Sequence, residues 1–158
     1  MAEDRSHKKV KKGDWHTEQM PSENTILSIQ KTFTPEEYGE LQKGILPEQM
    51  EDKWFIYFED DRLYFHRSWT GHCTYIAEFE KIDGGYYCIS RVIVNRNKDQ
   101  YSEQDDTWDT MLLLYLIDSM LLHKPVLFPK HPSIDSEDKQ VLNQWGLLGR
   151  HMLGPDNQ

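Results

Sequence analysis

A chain of 158 residues is long enough to bury one hydrophobic core without a metal or disulfide staple, so a single domain is expected. Its formal net charge of -9 argues against broad attachment to nucleic acid or anionic lipid, which both rely on clustered Lys and Arg. The longest apolar run, Met111 to Ile117, is soon interrupted by Asp118 and is far too short to span a bilayer.

The opening MAEDRSHKKVKK lacks the apolar stretch of a secretory signal. Cys73 and Cys88 are too few for a disulfide framework and lack zinc-site spacing, so a reducing cytoplasm is the expected location. Residues 1–24 are polar and read as a tail that stays mobile unless Trp15 docks somewhere. The basic run from His7 to Lys12 in that tail reads as solvated rather than as a nucleic-acid arm. The domain proper is expected over residues 25–153, with a short polar tail at 154–158.

Thr25 to Phe33 suits either a short strand or an extended lead-in. Thr34-Pro35-Glu36-Glu37 combines a capping threonine, proline at the first helical position and glutamate at the reciprocal capping position, which predicts a helix from Pro35 to about Lys43. Four strands follow at about Lys53–Phe58, Arg62–Trp69, His72–Ile82 and Tyr86–Asn95, separated by Glu59-Asp60-Asp61, Thr70-Gly71 and Asp83-Gly84-Gly85. Ser102 to about Leu122 is apolar over most of its circumference and predicts a long, central helix. A linker with Pro125, Pro129 and Pro132 leads to a last helix opened by Ser136-Glu137-Asp138. The fold class is therefore α+β: a four-stranded antiparallel meander packed against a long C-terminal helix, with flanking helices.

Period-two alternation sorts the strands onto two faces. One collects Trp54, Ile56, Phe58, Leu63, Phe65, Ile76, Val92 and Val94, with Arg67 and Trp69 near one end, as a bed for the helices. The other collects Phe55, Tyr57, Tyr64, His66, Ser68, Tyr75, Ala77, Arg91 and Ile93. It serves either as an ordinary wet sheet face or as a surface that stacks a flat ligand and meets its anionic groups. A one-residue bulge in the second strand would exchange some assignments. The same register separates Cys73 from Cys88 by about seven residue steps, roughly 24 Å, beyond disulfide reach.

No phosphate-cradling GxxxxGK[ST] or GxGxxG run and no GxSxG elbow is present. No carboxylate stands at ligand spacing beside His66 or His72, so no metal is expected, and no cofactor is implied. His123 and His131 read as a helix end and a loop. Arg67 points toward the apolar face, where a buried guanidinium requires an anionic partner. That partner is either a carboxylate such as Asp105, Asp106 or Asp109, or an anionic ligand held by Arg67, Ser68, Trp69 and the amides of the Thr70-Gly71 turn.

The segments MEDKWFIY (Met50–Tyr57) and LYFHRSWTG (Leu63–Gly71) resemble a recurring stretch of a small, uncharacterised, mainly bacterial domain family, over roughly Met50 to Glu80. Some similar stretches accompany macro domains that bind ADP-ribose. The resemblance implies a connection with ADP-ribose or nucleotide metabolism and transfers no catalytic assignment. The expected function is a cytoplasmic binding or accessory module for an anionic, nucleotide-like ligand, using Tyr64, His66, Arg67, Ser68, Trp69 and Arg91. One alternative is a small hydrolase or transferase with His66 as acid or base and Arg67 stabilising charge. Another is a protein-interaction domain using the aromatic face. Nucleic acid and membrane are not expected partners.

Overall fold

The computed structural model describes residues 9–134 and 136–149. Six antiparallel strands form one sheet: β1 (Asn24–Leu27), β2 (Thr32–Phe33), β3 (Trp54–Glu59), β4 (Arg62–Arg67), β5 (Cys73–Lys81) and β6 (Tyr87–Asn95). Their order is β1-β6-β5-β4-β3, with β2 pairing β6 on the same side as β1. The expected meander is thus present as β3 to β6, but the sheet has six strands, not four. The ambiguous stretch after Asn24 supplies the other two, broken between Leu27 and Thr32.

Helix α1 (Pro35–Leu41) starts as its capping residues dictate: Thr34 accepts from the Glu37 amide at 3.1 Å, and the Glu37 carboxylate accepts from the Thr34 amide at 3.0 Å. The turn between β3 and β4 places Asp60 and Asp61 at φ 52° and 59°, the double left-handed conformation that suits a two-residue hairpin. The expected long helix is shorter than its apolar pattern. Asp105 caps it by accepting from the Trp108 amide, α2 runs Asp106–Tyr115, and a π-helical segment continues from Leu116 to Leu121. Helix α3 (Glu137–Leu148) opens with Ser136 accepting from the Lys139 amide. Among the described residues, no helix is long and apolar enough to cross a membrane.

The core lies between one sheet face and α1, α2 and the π segment. Trp54, Ile56, Leu63, Phe65, Val92 and Val94 face it as alternation predicts. β5 departs from expectation: Tyr75, Ala77 and Phe79 are the core-facing residues, while Ile76 lines the opposite side with Tyr57 and Tyr64. The cause is a pair of irregularities flanking this strand. Phe65 pairs with Tyr75 but His66 with Cys73, which makes Thr74 an extra residue; Glu78 pairs with Arg91 but Phe79 with Ile89, which makes Ser90 another. β5 is therefore slipped by one residue against the register that a two-residue Thr70-Gly71 turn would impose, and a one-residue slip exchanges faces. Cys88 lies opposite Glu80, the Asn95 carboxamide donates to the Cys73 carbonyl at 2.8 Å, and both thiols are free.

Candidate functional site

The end of β4 and the β4–β5 connection carry Arg67, Ser68 and Trp69, and the geometry there follows from backbone bonding. The Arg67 amide donates to the His72 carbonyl at 2.9 Å and the Gly71 amide to the Arg67 carbonyl at 2.8 Å, which closes a tight loop. Gly71 has φ 78°, and a Cβ there would lie 2.9 Å from the His16 carbonyl oxygen. That close approach lets the N-terminal stretch dock on the loop. Trp15 Nε1 donates to the Ser68 carbonyl at 2.7 Å, the Glu18 amide donates to the Gly71 carbonyl at 2.9 Å, and the Trp15 ring stacks on Phe55 at 6.3 Å. The docking of Trp15, left open by the sequence, is thereby specified.

Arg67 sits at the centre of the candidate site. Its guanidinium lies over the Trp54 ring at 4.7 Å, and Nη2 donates to the Gly146 carbonyl at 2.9 Å. Gly146 is in the last turn of α3, so this arm of the fork caps a helix end that favours positive charge. Nη1 is buried with no hydrogen-bond partner, and burial works against the charged form. Among the described residues no carboxylate lies within ion-pair distance of Arg67. The aspartates at the start of α2 are engaged elsewhere. Arg96 Nη2 lies 2.6 Å from both Asp106 and Asp109, and the buried Asp109 also accepts from Tyr75 and Tyr101 at 2.7 and 2.6 Å. The internal pair that would have made Arg67 purely structural is made by Arg96 instead.

A cleft of about 210 Å³ opens beside Arg67, lined by Lys53, Arg67, Ser68, Trp69, Thr70 and Gln100. Lys53 Nζ lies over the Trp69 ring at 4.7 Å. Gln100 accepts from Asn95 through Oε1 at 3.0 Å, so its amide nitrogen is the end left to donate. Trp69 is 62% exposed, but its Nε1 is held by the Met50 carbonyl at 2.8 Å. Ser68 is buried, with Oγ donating to the Asp52 carbonyl at 2.6 Å, so its hydroxyl hydrogen braces the loop. Lys53 and Gln100 were not singled out in the sequence. Lys53 carried a signal as the residue immediately before a strand that pairs with the Arg67 strand; Gln100, from a distant loop, carried none.

The other sequence-predicted residues lie elsewhere. His66 points to the opposite sheet face, with Tyr57 stacked at 5.6 Å and its Nδ1 2.9 Å from the Gly71 carbonyl. A carbonyl only accepts, so Nδ1 bears the hydrogen and Nε2, buried and without a partner, is the lone-pair nitrogen. Burial lowers the His66 pKa, so the ring is neutral, and burial also pushes the neighbouring Cys73 thiol up to about 12. Tyr64 stacks on Tyr57 at 4.6 Å in the same small cleft. Arg91 is an exposed residue of β6, paired across strands with Glu78, which Arg62 also meets. The fold thus brings Arg67, Ser68 and Trp69 together and separates Tyr64, His66 and Arg91 from them.

His131, read from the sequence as a loop residue, is buried beside Trp108. Its Nδ1 accepts from the Ser133 amide at 3.1 Å and Nε2 faces Glu103 at 2.8 Å, while Gln140 bonds both the amide and the carbonyl of the same residue. These contacts fasten the loop ahead of α3. Among the described residues, no group of three or more His, Cys, Asp or Glu is placed to hold a metal ion. No protein-family model, curated protein or solved structure matches the chain.

Proposed function

We propose that the protein is a binding module for a small anionic ligand, with the Arg67 and Lys53 cleft as the anion site. The observation that carries this reading is a half-buried guanidinium whose Nη1 is buried and unpartnered, with no carboxylate in reach among the described residues. Leaving a buried charged donor unpaired is costly, and an oxyanion recovers that cost. Lys53, the Gln100 amide and Arg67 surround the cleft with donors, a set that suits phosphate or carboxylate. Trp69 flanks the anion site with an aromatic face. Nucleotides and ADP-ribose, which the resemblance of the Met50–Glu80 segment brings forward, belong to the ligand class this arrangement suits. The hydrolase reading loses its main support, because His66 and Arg67 open onto different clefts.

A thermal-shift panel of phosphate, nucleotides, NAD and ADP-ribose tests the proposal on wild type and Arg67→Lys. Lysine retains the charge but lacks the fork. At a ligand concentration of about 100 times Kd the native state gains about 2.7 kcal/mol. For a chain of this size that is an upward shift of roughly 2–4 °C per kcal/mol. The expected result is a shift in wild type that is largely lost in Arg67→Lys. Equal shifts in both proteins, or none with any anion, would reject the anion site.

A further inference from the structure

We infer that the ligand of the Arg67 cleft carries a planar aromatic group, as a nucleotide or other aromatic phosphate ester does, and that this group occupies the adjoining cleft against Trp15 and Trp69. The inference rests on the anion-binding reading above and adds the nature of the ligand's other end.

Size gives the first argument. Ligand-binding clefts run at about 300–1,000 Å³, and the anion cleft, at about 210 Å³, is below that range. It accommodates a head group and little more. A second cleft of about 540 Å³ shares Ser68 and Trp69 with it as lining residues, so the two lie side by side.

The second argument is the division of chemistry between them. Among the described residues, Lys53 and Arg67 line the small cleft, whereas no Lys or Arg lines the large one. Its wall instead combines Trp15, Pro47, Met50 and Trp69, an environment that receives an apolar ring. A ligand charged at one end and flat and apolar at the other matches both.

The third argument is preorganisation. Each indole is already fixed by its N–H: Trp15 to the Ser68 carbonyl at 2.7 Å and Trp69 to the Met50 carbonyl at 2.8 Å. Trp15 also makes ring contacts with His16 and Phe55, at centroid distances of 5.3 and 6.3 Å. Aromatic walls held before binding lose little rotamer freedom when a ring docks.

Calorimetric titration of the full chain with inorganic phosphate, ribose 5-phosphate and adenosine monophosphate is the test. The nucleotide is expected to bind at least about tenfold tighter than either phosphate that lacks an aromatic ring. Trp15→Leu should weaken the nucleotide by a larger factor than phosphate, so that the ratio of their affinities falls toward one, whatever the lost bond to the Ser68 carbonyl costs both compounds. If circular dichroism shows that variant unfolded, the intrinsic tryptophan fluorescence of the wild type replaces it: adenosine monophosphate should quench it and ribose 5-phosphate should not, and equal responses to the two would overturn the inference. Equal affinity of all three compounds would overturn the aromatic inference and leave the anion site standing. A nucleotide preference that the folded variant retains would also overturn it, since the ring would then bind elsewhere. Failure of all three to bind would overturn both.

Discussion

At the scale of single residues, the contrast among arginines is the informative feature. Arg62 and Arg91 share Glu78, and Arg96 is neutralised by Asp106 and Asp109, whereas Arg67 has a helix carbonyl, an indole face and an unpartnered nitrogen. The helix-capping arm explains why Arg67 contributes to the fold; the other arm has no such role. His66 supplies a separate prediction. Its pKa is lowered first by burial, with Lys12 adding in the same direction against the Gly71 carbonyl. The unfolded chain therefore binds a proton more readily than the native state below about pH 6.5, and stability, full above that value, falls as the pH drops toward the folded-state pKa. The loss is at most about 1.4 kcal/mol for each pH unit in which only the unfolded chain is protonated. Urea unfolding at about pH 7.5 and 5.5 should show a larger acid loss for wild type than for His66→Gln. Identical losses would mean that this imidazole is not held neutral.

Secondary-structure elements reveal what the linear pattern encodes and where it falls silent. Capping at Thr34 and Ser136, the Asp60-Asp61 turn and the alternation in β3, β4 and most of β6 were legible, because each is decided by residues within a few positions of one another. The orientation of β5 was not, since the extra residues at Thr74 and Ser90 are fixed by pairing with both neighbours at once. For the site, the Arg67-Ser68-Trp69 cluster was legible as a strand end, whereas the wall formed by Trp15 depends on a contact across 53 positions. That contact requires Gly71. Gly71→Ala places a side chain at positive φ and against the His16 backbone, so a loss of about 1 kcal/mol or more is expected. The effect should be accompanied by faster amide exchange at Glu18, whose N–H bonds the Gly71 carbonyl. Unchanged stability and exchange would show that the N-terminal stretch does not depend on this approach.

Across the whole molecule, the sheet divides two functions. One face, covered by α1, α2 and the π segment, holds the core, while the other is partly roofed by residues that include Trp15 and Thr17 to Met20. At one end of β4 the two sides meet, and there the anion cleft and the aromatic cleft share a wall. A net charge of -9 makes a cationic cleft without carboxylate partners among the described residues an exception to the surrounding field, which favours a small anion held at short range over a long polyanion held by many contacts. Nitrogen-15 NMR of the arginine side chains during titration with inorganic phosphate tests this most directly. The account predicts that the Arg67 guanidinium resonances shift with saturation and that their protons exchange more slowly, while Arg62, Arg91 and Arg96, already facing carboxylates, stay in place. A titration that leaves Arg67 unmoved, or that moves all the arginines alike, would contradict it.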